Sequence, residues 1–171
     1  MFASVEAVQE QFRASRYIAS RRIATVVYLA SRMNRPVLVE GPAGVGKTEL
    51  AKVLAETTGR PLVRLQCYEG LDEAKALYEW DYAKQMLYTL LLRDSVATQT
   101  AGALSIVDAV DRLAGAESAF FGKRFLISRP LLQVLESKIP AVLLVDEVDR
   151  ADPEFEAFLL EILSENQVTI P

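Results

Sequence analysis

A glycine-rich segment between an apolar run and a helical pattern limits the choice of fold for this chain. The segment reads Gly41-Pro42-Ala43-Gly44-Val45-Gly46-Lys47-Thr48 and fits the pattern G-x-x-x-x-G-K-[ST]. Val37, Leu38 and Val39 before it predict a buried parallel strand, and Leu50, Val53 and Leu54 after it lie at helical spacing. A strand, a glycine loop and a helix in this order direct backbone N–H groups and a helix N-terminus at phosphate oxygens. The pattern therefore predicts a nucleotide site, in preference to a plain glycine turn.

The residue types in this phosphate-binding loop (P-loop) suit a triphosphate. Gly41, Gly44 and Gly46 permit backbone conformations and a close approach that a Cβ atom would obstruct. Lys47 places a compact positive charge on the β- and γ-phosphates, and the Thr48 hydroxyl can complete a Mg²⁺ shell. We expect the other members of the site to be Pro42, Ala43 and Val45 of the loop and Glu49 directly after it. The predicted cofactors are ATP and Mg²⁺.

A later apolar strand carries the second half of the expected chemistry. The run Ala141–Val145 predicts a buried strand that ends in Asp146 and Glu147. Asp146 can hold the Mg²⁺ shell through water, and Glu147 can polarise a water for attack on the γ-phosphate. Taken alone, the two acids fit a solvated turn equally well; downstream of the P-loop they favour hydrolysis. Glu147 and Lys47 are thus the predicted catalytic residues, and Thr48 and Asp146 the predicted metal ligands.

Composition excludes several other kinds of chemistry. The chain of 171 residues has no histidine, which rules out a histidine base, a Ser-His nucleophile pair and most zinc sites. Cys67 is the single cysteine, so an internal disulfide cannot form. A net charge of −4 argues against nucleic acid as a partner, and no apolar run approaches the roughly 20 residues of a membrane span. We expect a cytoplasmic protein.

The remaining patterns predict further helices and strands. Ser4 and Ser20 precede two helical patterns, and the second has Ile23, Val26, Val27, Ala30 and Met33 on one face. A strand is expected over Leu62–Cys67, with Cys67 as a small core residue at its end. Towards the C-terminus Pro130 opens a helix, Asp152 and Pro153 begin another, and residues 167–171 are expected to be extended.

The stretch between the second and third strands is longer than a crossover requires. Cys67 and Ala141 are separated by 73 residues, whereas a dozen or so suffice to connect parallel strands. We predict a helix over residues 71–94 that is interrupted near 79–81, and a weaker one over 97–113. The aromatic residues of the stretch are expected to be core rather than ligand-stacking residues: Trp80, Phe120, Phe121 and Phe125.

Several stretches resemble the MoxR-type AAA+ ATPases. "RPVLVEGPAGVGKTELAKVLA" resembles the Walker A block of that family, and "VLLVDEVDRADPEFEAFLLEILSENQVTIP" its Walker B segment, following helix and pre-sensor hairpin. "LQCYEGLDEAKALYEWDYAKQMLYTLLLR" and "FLISRPLLQVL" are similar to the subgroup associated with carbon monoxide dehydrogenase maturation. The resemblance covers about residues 17–171 and is weakest between Ser95 and Ala119.

The resemblance implies an α/β fold of the P-loop NTPase (AAA+) type, with α-β-α layers around a parallel sheet. Residues 1–34 would form an N-terminal helical segment, and 35–171 a partial ATPase core with an insert at about 68–130. By matching position, Gln66 can hold Glu147 in an inactive rotamer, although an ordinary polar strand residue is an equal interpretation. Tyr17 and Ile18 lie where the family approaches adenine. The family forms rings, usually hexamers, which remodel proteins or help to insert metal cofactors.

The family pattern continues beyond Pro171 with sensor 1, an arginine finger and a lid. Its fourth strand lies between the P-loop strand and the Walker B strand, so we expect a sheet incomplete at the C-terminus and a chain that is inactive alone. Direct pairing of residues 37–40 with 142–145 would contradict this topology. The leading hypothesis is an ATPase with a metalloenzyme client and a von Willebrand A-type partner. The alternatives are a nucleotide-binding scaffold that does not hydrolyse, and a small-molecule or nucleotide kinase, which leaves Glu147 unexplained.

Overall fold

A computed structural model describes residues 2–91, 105 and 123–165 of the chain. In chain order the elements are α1 (Val5–Ala14), α2 (Arg21–Met33), α3 (Lys47–Thr58), β1 (Leu62–Gln66), α4 (Glu73–Leu77), β2 (Tyr78–Trp80), α5 (Tyr82–Leu91), β3 (Leu126–Ser128), α6 (Pro130–Leu135), β4 (Val142–Asp146) and α7 (Pro153–Glu165). The helix expected over 97–113, the extended piece at 167–171, and Phe120 and Phe121 lie outside the described residues. The predicted mixture of helices with a parallel sheet is confirmed.

Local signals set the bounds of the first three helices. The hydroxyl of Ser4 accepts a hydrogen bond from the N–H of Ala7 at the start of α1, and Ser20 caps α2 in the same way. At the end of α3, Gly59 adopts a φ of 63°, which ends a helix at little cost for a residue without a Cβ. The sequence-based predictions for these helices are confirmed.

One apolar cluster joins α1, α2 and α3. Its buried members come from all three helices and the segment before them: Phe2, Val8, Phe12, Ala19, Ala24, Val27, Leu50 and Val53. The predicted face of α2 is partly wrong, because Val26 and Met33 are exposed while Ala24 and Val27 are buried. The helix presents its small and β-branched residues to α1, and their short side chains let the two helices approach closely. The P-loop helix is thereby anchored to the N-terminal helices.

The parallel sheet of the described residues consists of β1 and β4. Leu62 is opposite Val142 and Gln66 is opposite Asp146, so the two strands end at the same edge. Leu65 and Cys67 are buried on one face of β1, and Arg64 and Gln66 are exposed on the other. Helix α3 packs on both strands, and α6 covers the sheet as well. This arrangement places the residues that follow each strand beside the N-terminus of α3.

The strand predicted in front of the P-loop is wrong. Residues 35–42 have no strand assignment, and the exposed fraction of Leu38 is 75%. A strand requires a neighbour for its N–H and C=O groups, and none of the described residues pairs with this segment. Direct pairing with β4 is not observed; β4 pairs with β1 instead. The segment is therefore an extended connection between α2 and the loop.

Residues 78–129 form a second unit by their contacts, which falls inside the predicted insert. Strands β2 and β3 pair antiparallel, with Trp80 opposite Leu126, so the predicted interruption of the long helix near 79–81 is confirmed as a strand. Phe125 is 1% exposed and meets the ring of Tyr88 edge-on at 5.2 Å between centroids. Its predicted place in a core is confirmed. Among the described helices, none combines the length and apolar character that crossing a membrane requires.

Candidate functional site

The P-loop places glycine where the backbone requires it. Gly44 and Gly46 have φ angles of 80° and 91°, a region that L-residues rarely adopt. Gly46 is the N-cap of α3, and its carbonyl accepts the N–H of Leu50. No side chain caps the helix, so its first N–H groups remain available at the mouth of the loop. This is the geometry that binds anions at a helix N-terminus.

The ammonium group of Lys47 is folded onto its own loop. Its Nζ donates to the carbonyl oxygens of Gly41, at 2.5 Å, and Pro42, at 2.9 Å. These bonds hold the positive charge over the concave side of the loop, where the backbone curves around it. An anion bound there competes with two neutral carbonyls for the ammonium. Because a phosphate oxygen is negatively charged and a carbonyl oxygen is neutral, the ammonium binds the phosphate more strongly and the anion is favoured in that competition.

Two predicted metal ligands from distant parts of the chain meet beside the loop. The hydroxyl of Thr48 donates to Oδ2 of Asp146 across 3.4 Å, although 98 residues separate them. Thr48 lies in the first turn of α3, and Asp146 is the last residue of β4. A hydroxyl and a carboxylate are hard oxygen ligands of the kind Mg²⁺ takes, in few numbers, alongside waters and phosphate oxygens. The pair therefore fits a magnesium ion.

Arg64, which the sequence analysis did not predict as a site residue, contacts the same carboxylate. The guanidinium Nη2 of Arg64 is 2.7 Å from Oδ2 of Asp146 and 2.5 Å from Oε1 of Gln66. Arg64 and Gln66 share one face of β1, and the β1–β4 register puts that face beside Asp146. The alternation of Arg64 and Gln66 was visible in the sequence, but the register that brings them to Asp146 was not. Gln66 thus contacts Arg64, as an ordinary polar strand residue can, and a role of Gln66 towards Glu147 stays a prediction.

Glu147 lies at the turn after β4 in an unusual backbone conformation. Its φ and ψ are 54° and 44°, the left-handed region, which is costly for a residue with a Cβ. Its carboxylate pairs with Nε of Arg150 at 3.1 Å, and both side chains are well exposed. Such strain concentrates at functional sites, where the surrounding structure maintains it. The turn directs Glu147 away from the strand and leaves it solvent-accessible.

Tyr17 lies against the P-loop, and the neighbouring Ile18 is 85% exposed. A Cβ built on Gly46 would lie 3.7 Å from the Tyr17 ring, which also meets Phe12 edge-on. Burial raises the pKa of the Tyr17 phenol, and the carboxylate of Glu49 raises it further. The structure therefore brings Tyr17, Gly46 and Glu49 together at one side of the loop.

The interior behind the carboxylates is apolar. Cys67 is 1% exposed, and its N–H donates to the carbonyl of Asp146 at 2.9 Å. Burial raises the pKa of the Cys67 thiol, with smaller contributions from Asp146 and Asp149. Its predicted role as a small core residue is confirmed. The described part of the chain contains no cluster of three or more Cys, Asp or Glu side chains that could enclose a metal by themselves.

An open cleft of about 400 Å³ lies apart from the P-loop, between α4 and the start of α7. Asp72, Glu73 and Glu154 line it, together with Asp152. The carboxylate of Asp152 accepts the N–H of Gly70, so the predicted helix-capping residue also binds the neighbouring loop. No residue of the P-loop lines this cleft.

Comparison with known proteins gives one matching family model. It is described as "AAA domain (dynein-related subfamily)" and matches residues 36–171. Similar proteins include chaperone protein ClpB 2 of Thermosynechococcus vestitus, 30% identical over 138 residues that cover 79% of this chain and 12% of that protein. ClpB of Mycoplasmoides gallisepticum is 32% identical over 141 residues, 80% of this chain and 15% of that protein.

An uncharacterized protein of Staphylococcus saprophyticus is also similar: 41% identical over 46 residues, which cover 27% of this chain and 18% of that protein. The chain thus spans between about an eighth and a fifth of the length of these relatives, 12% to 18%. No solved structure matches.

Proposed function

Because the chain belongs to the AAA domain family, dynein-related subfamily, we propose that it binds ATP with Mg²⁺ and is the nucleotide-hydrolysing part of a larger protein-remodelling machine. The observation that carries this proposal is the meeting of Thr48 and Asp146 beside the N-terminus of α3. A P-loop alone fits many nucleotide-binding proteins. A metal-binding hydroxyl and carboxylate, brought together from residues so far apart in sequence, favour a site for the metal complex of a triphosphate.

Each side chain of the site has a separate task in this proposal. The first N–H groups of α3 and the ammonium of Lys47 bind the β- and γ-phosphate oxygens, and the ammonium leaves the carbonyls of Gly41 and Pro42 to do so. Thr48 and Asp146 would hold Mg²⁺, and a bound ion would supply positive charge next to the phosphate oxygens. Glu147 orients a water as a general base, for which its carboxylate separates from Arg150.

Tyr17, Ile18 and Glu49 are proposed to border the nucleotide. Tyr17 packs on Phe12 and lies next to Gly46, so an aromatic surface flanks the start of α3. An adenine ring presents a flat apolar face that stacks on such surfaces. The exposed Ile18 is available for the same contact.

ATP binding is tested with the purified chain by calorimetry, with and without Mg²⁺. Lys47→Ala removes a charge-assisted contact of about 1.5–3 kcal/mol, so the affinity is expected to fall by about 10- to 100-fold. Lys75→Ala is the matched control, because Lys75 is an exposed lysine of α4 that pairs with Asp72 at 2.7 Å and contacts no predicted site residue in the contacts described. Equal ATP affinity of the wild type and Lys47→Ala would contradict the proposal.

Hydrolysis is tested separately by phosphate release. Glu147→Gln is expected to keep ATP bound and to stop turnover, because an amide does not accept the proton of the attacking water. Tight binding without turnover at any protein concentration favours a nucleotide-dependent scaffold instead, and transfer of phosphate to an added acceptor favours a kinase. Turnover that rises with concentration, together with a ring-sized species in sedimentation, supports assembly into the hexamer expected for the family.

The assignment to a subgroup of AAA+ ATPases, with a specific task and partner, rests on sequence resemblance. We propose a MoxR-type ATPase that acts on a protein client in the cytoplasm, with metal-cofactor insertion into a metalloenzyme as the specific task and a von Willebrand A-type protein as partner. Two of the relatives are described as chaperone proteins, which supports a protein client. The partner is tested by adding a purified von Willebrand A-type protein and measuring turnover and co-sedimentation; neither should change if the assignment is wrong.

A further inference from the structure

Oδ2 of Asp146 has two partners among the described residues. It lies 3.4 Å from the hydroxyl of Thr48, the other predicted metal ligand, and 2.7 Å from Nη2 of Arg64. A carboxylate oxygen that binds a guanidinium at this distance has a lone pair directed at it. A divalent cation at the same carboxylate would be repelled by the guanidinium and would compete with it for Asp146. Arg64 therefore lies where its charge opposes metal binding.

The position of Arg64 follows from the sheet. Gln66 is opposite Asp146 in the β1–β4 register, and Arg64 lies two residues earlier on the same strand face. Oε1 of Gln66 accepts from the same Nη2 at 2.5 Å, so the guanidinium is held from two sides. The exposed fraction is 54% for the Arg64 side chain and 19% for that of Asp146. The arginine is thus free to swing into solvent, whereas the carboxylate is fixed by the strand.

We propose that Arg64 is an internal competitor for the metal ion of this site. Its guanidinium and a divalent cation compete for Asp146 and repel each other, so Arg64 raises the concentration of free Mg²⁺ at which the metal complex of a nucleotide is retained. Gln66 positions Arg64 in this role. The inference rests on the proposed function for the identity of the metal and the nucleotide, but the competition itself is a property of Arg64 and Asp146.

The first test uses Mn²⁺ alone as the probe, without nucleotide, and measures free Mn²⁺ by electron paramagnetic resonance. Arg64→Gln removes the competing cation and is expected to raise the Mn²⁺ affinity by up to about fivefold, the range of a partly exposed ion pair. Arg60→Gln is the matched control: it removes the same charge from an exposed position four residues earlier, about 13 Å away along an extended chain. It is expected to leave the affinity unchanged.

The second test measures the ratio of ATP affinities with Mg²⁺ and with EDTA. Competition at Asp146 predicts that Arg64→Gln raises this ratio by about the same factor, whereas an arginine that simply attracts phosphate would change both affinities together. In the background of Asp146→Asn the effect of Arg64→Gln on the ratio is expected to disappear, since the contested carboxylate is gone.

The inference is overturned if Arg64→Gln leaves both the Mn²⁺ affinity and the ratio at the values of Arg60→Gln, or lowers them. Should Arg64→Gln fail to fold by circular dichroism, Arg64→Lys is measured in its place; a shorter point charge is expected to raise both quantities less, but in the same direction. If the wild type binds no ATP under any condition, the proposed function fails, and the Mn²⁺ measurement still decides whether Arg64 competes.

Discussion

Comparing glycine with alanine at position 147 tests the backbone strain at the end of β4. Glu147 has a φ of 54°, and the left-handed conformation costs an L-residue about 1–2 kcal/mol. Glycine adopts it freely but loses about 0.5–1 kcal/mol more backbone entropy on folding than alanine. Both variants lose the ion pair with Arg150, so that contribution cancels in the comparison. We therefore expect Glu147→Gly to be more stable than Glu147→Ala by about 0.5–1 kcal/mol.

The measurement is urea unfolding followed by circular dichroism. With a denaturant slope of about 1–3 kcal/mol per molar, the midpoint of Glu147→Gly is expected about 0.2–1 M above that of Glu147→Ala. Glycine and alanine at Lys52, in the interior of α3, serve as a control in which the order of stability is expected to be reversed. Both variants there lose the ion pair with Glu49, and glycine is the poorer helix former. At that position alanine is expected to be more stable by about 1 kcal/mol.

The result that refutes the reasoning is an alanine variant at 147 as stable as the glycine variant, or more so. That outcome would mean that the turn relaxes to an ordinary conformation at no cost, and that the strain is not fixed by its surroundings. Both variants are expected to retain ATP and to lack turnover, since neither has a carboxylate at this position. The two variants are thus expected to differ in stability but not in turnover.

The remaining predictions concern the core, a helix cap and the buried thiol. Phe155→Ala is expected to lower the free energy of unfolding by about 3–5 kcal/mol in urea titrations, because the ring is 2% exposed, whereas Leu160→Ala, 69% exposed, changes it by less than about 0.5 kcal/mol. Ser20→Ala is expected to cost about 1 kcal/mol in the same assay, because the N–H of Ile23 loses its cap; an unchanged midpoint would contradict the capping role. Burial raises the pKa of Cys67 above its ordinary value of 9.0, so the neutral thiol favours the folded state below that pH and this contribution is lost as the pH rises through the raised value. The urea midpoint of the wild type is therefore expected to fall more than that of Cys67→Ala between about pH 8 and 10; parallel profiles would refute it.

The helices and the two strands of the parallel sheet could be predicted because their signals are local. A serine before α2 caps the helix through a hydrogen bond, and a glycine after α3 ends it in a left-handed conformation. A proline suits the start of α7 because the N–H that it lacks would have no partner there. The apolar runs of β1 and β4 likewise needed no knowledge of their neighbours. For the same reason the contents of the P-loop, with Lys47 and Thr48 after its glycines, could be recognised from the sequence.

The failures concern pairing, which a local pattern does not specify. Val37 to Val39 are as apolar as β4, yet they form no strand because none of the described residues pairs with them. The contact of Arg64 with Asp146 depends on a register between strands 82 residues apart in sequence. Gln66 was expected either to hold Glu147 or to be an ordinary polar strand residue; it contacts Arg64 of the same strand, and the role towards Glu147 stays a prediction.

The geometry around Asp146 does not depend on the segment that fails to form a strand. Asp146 is placed by the pairing of β4 with β1, and Thr48 by the first turn of α3, which packs on both strands. The opposite side of α3 is held by the cluster that includes Phe12 and Val27. A helix that is packed on two sides has a fixed direction for its N-terminus. The residues before the P-loop are therefore required only to connect α2 to the loop. The positions of Lys47 and Thr48 are therefore a consequence of helix packing, and the contact between Thr48 and Asp146 depends on the packing of α3 against β4.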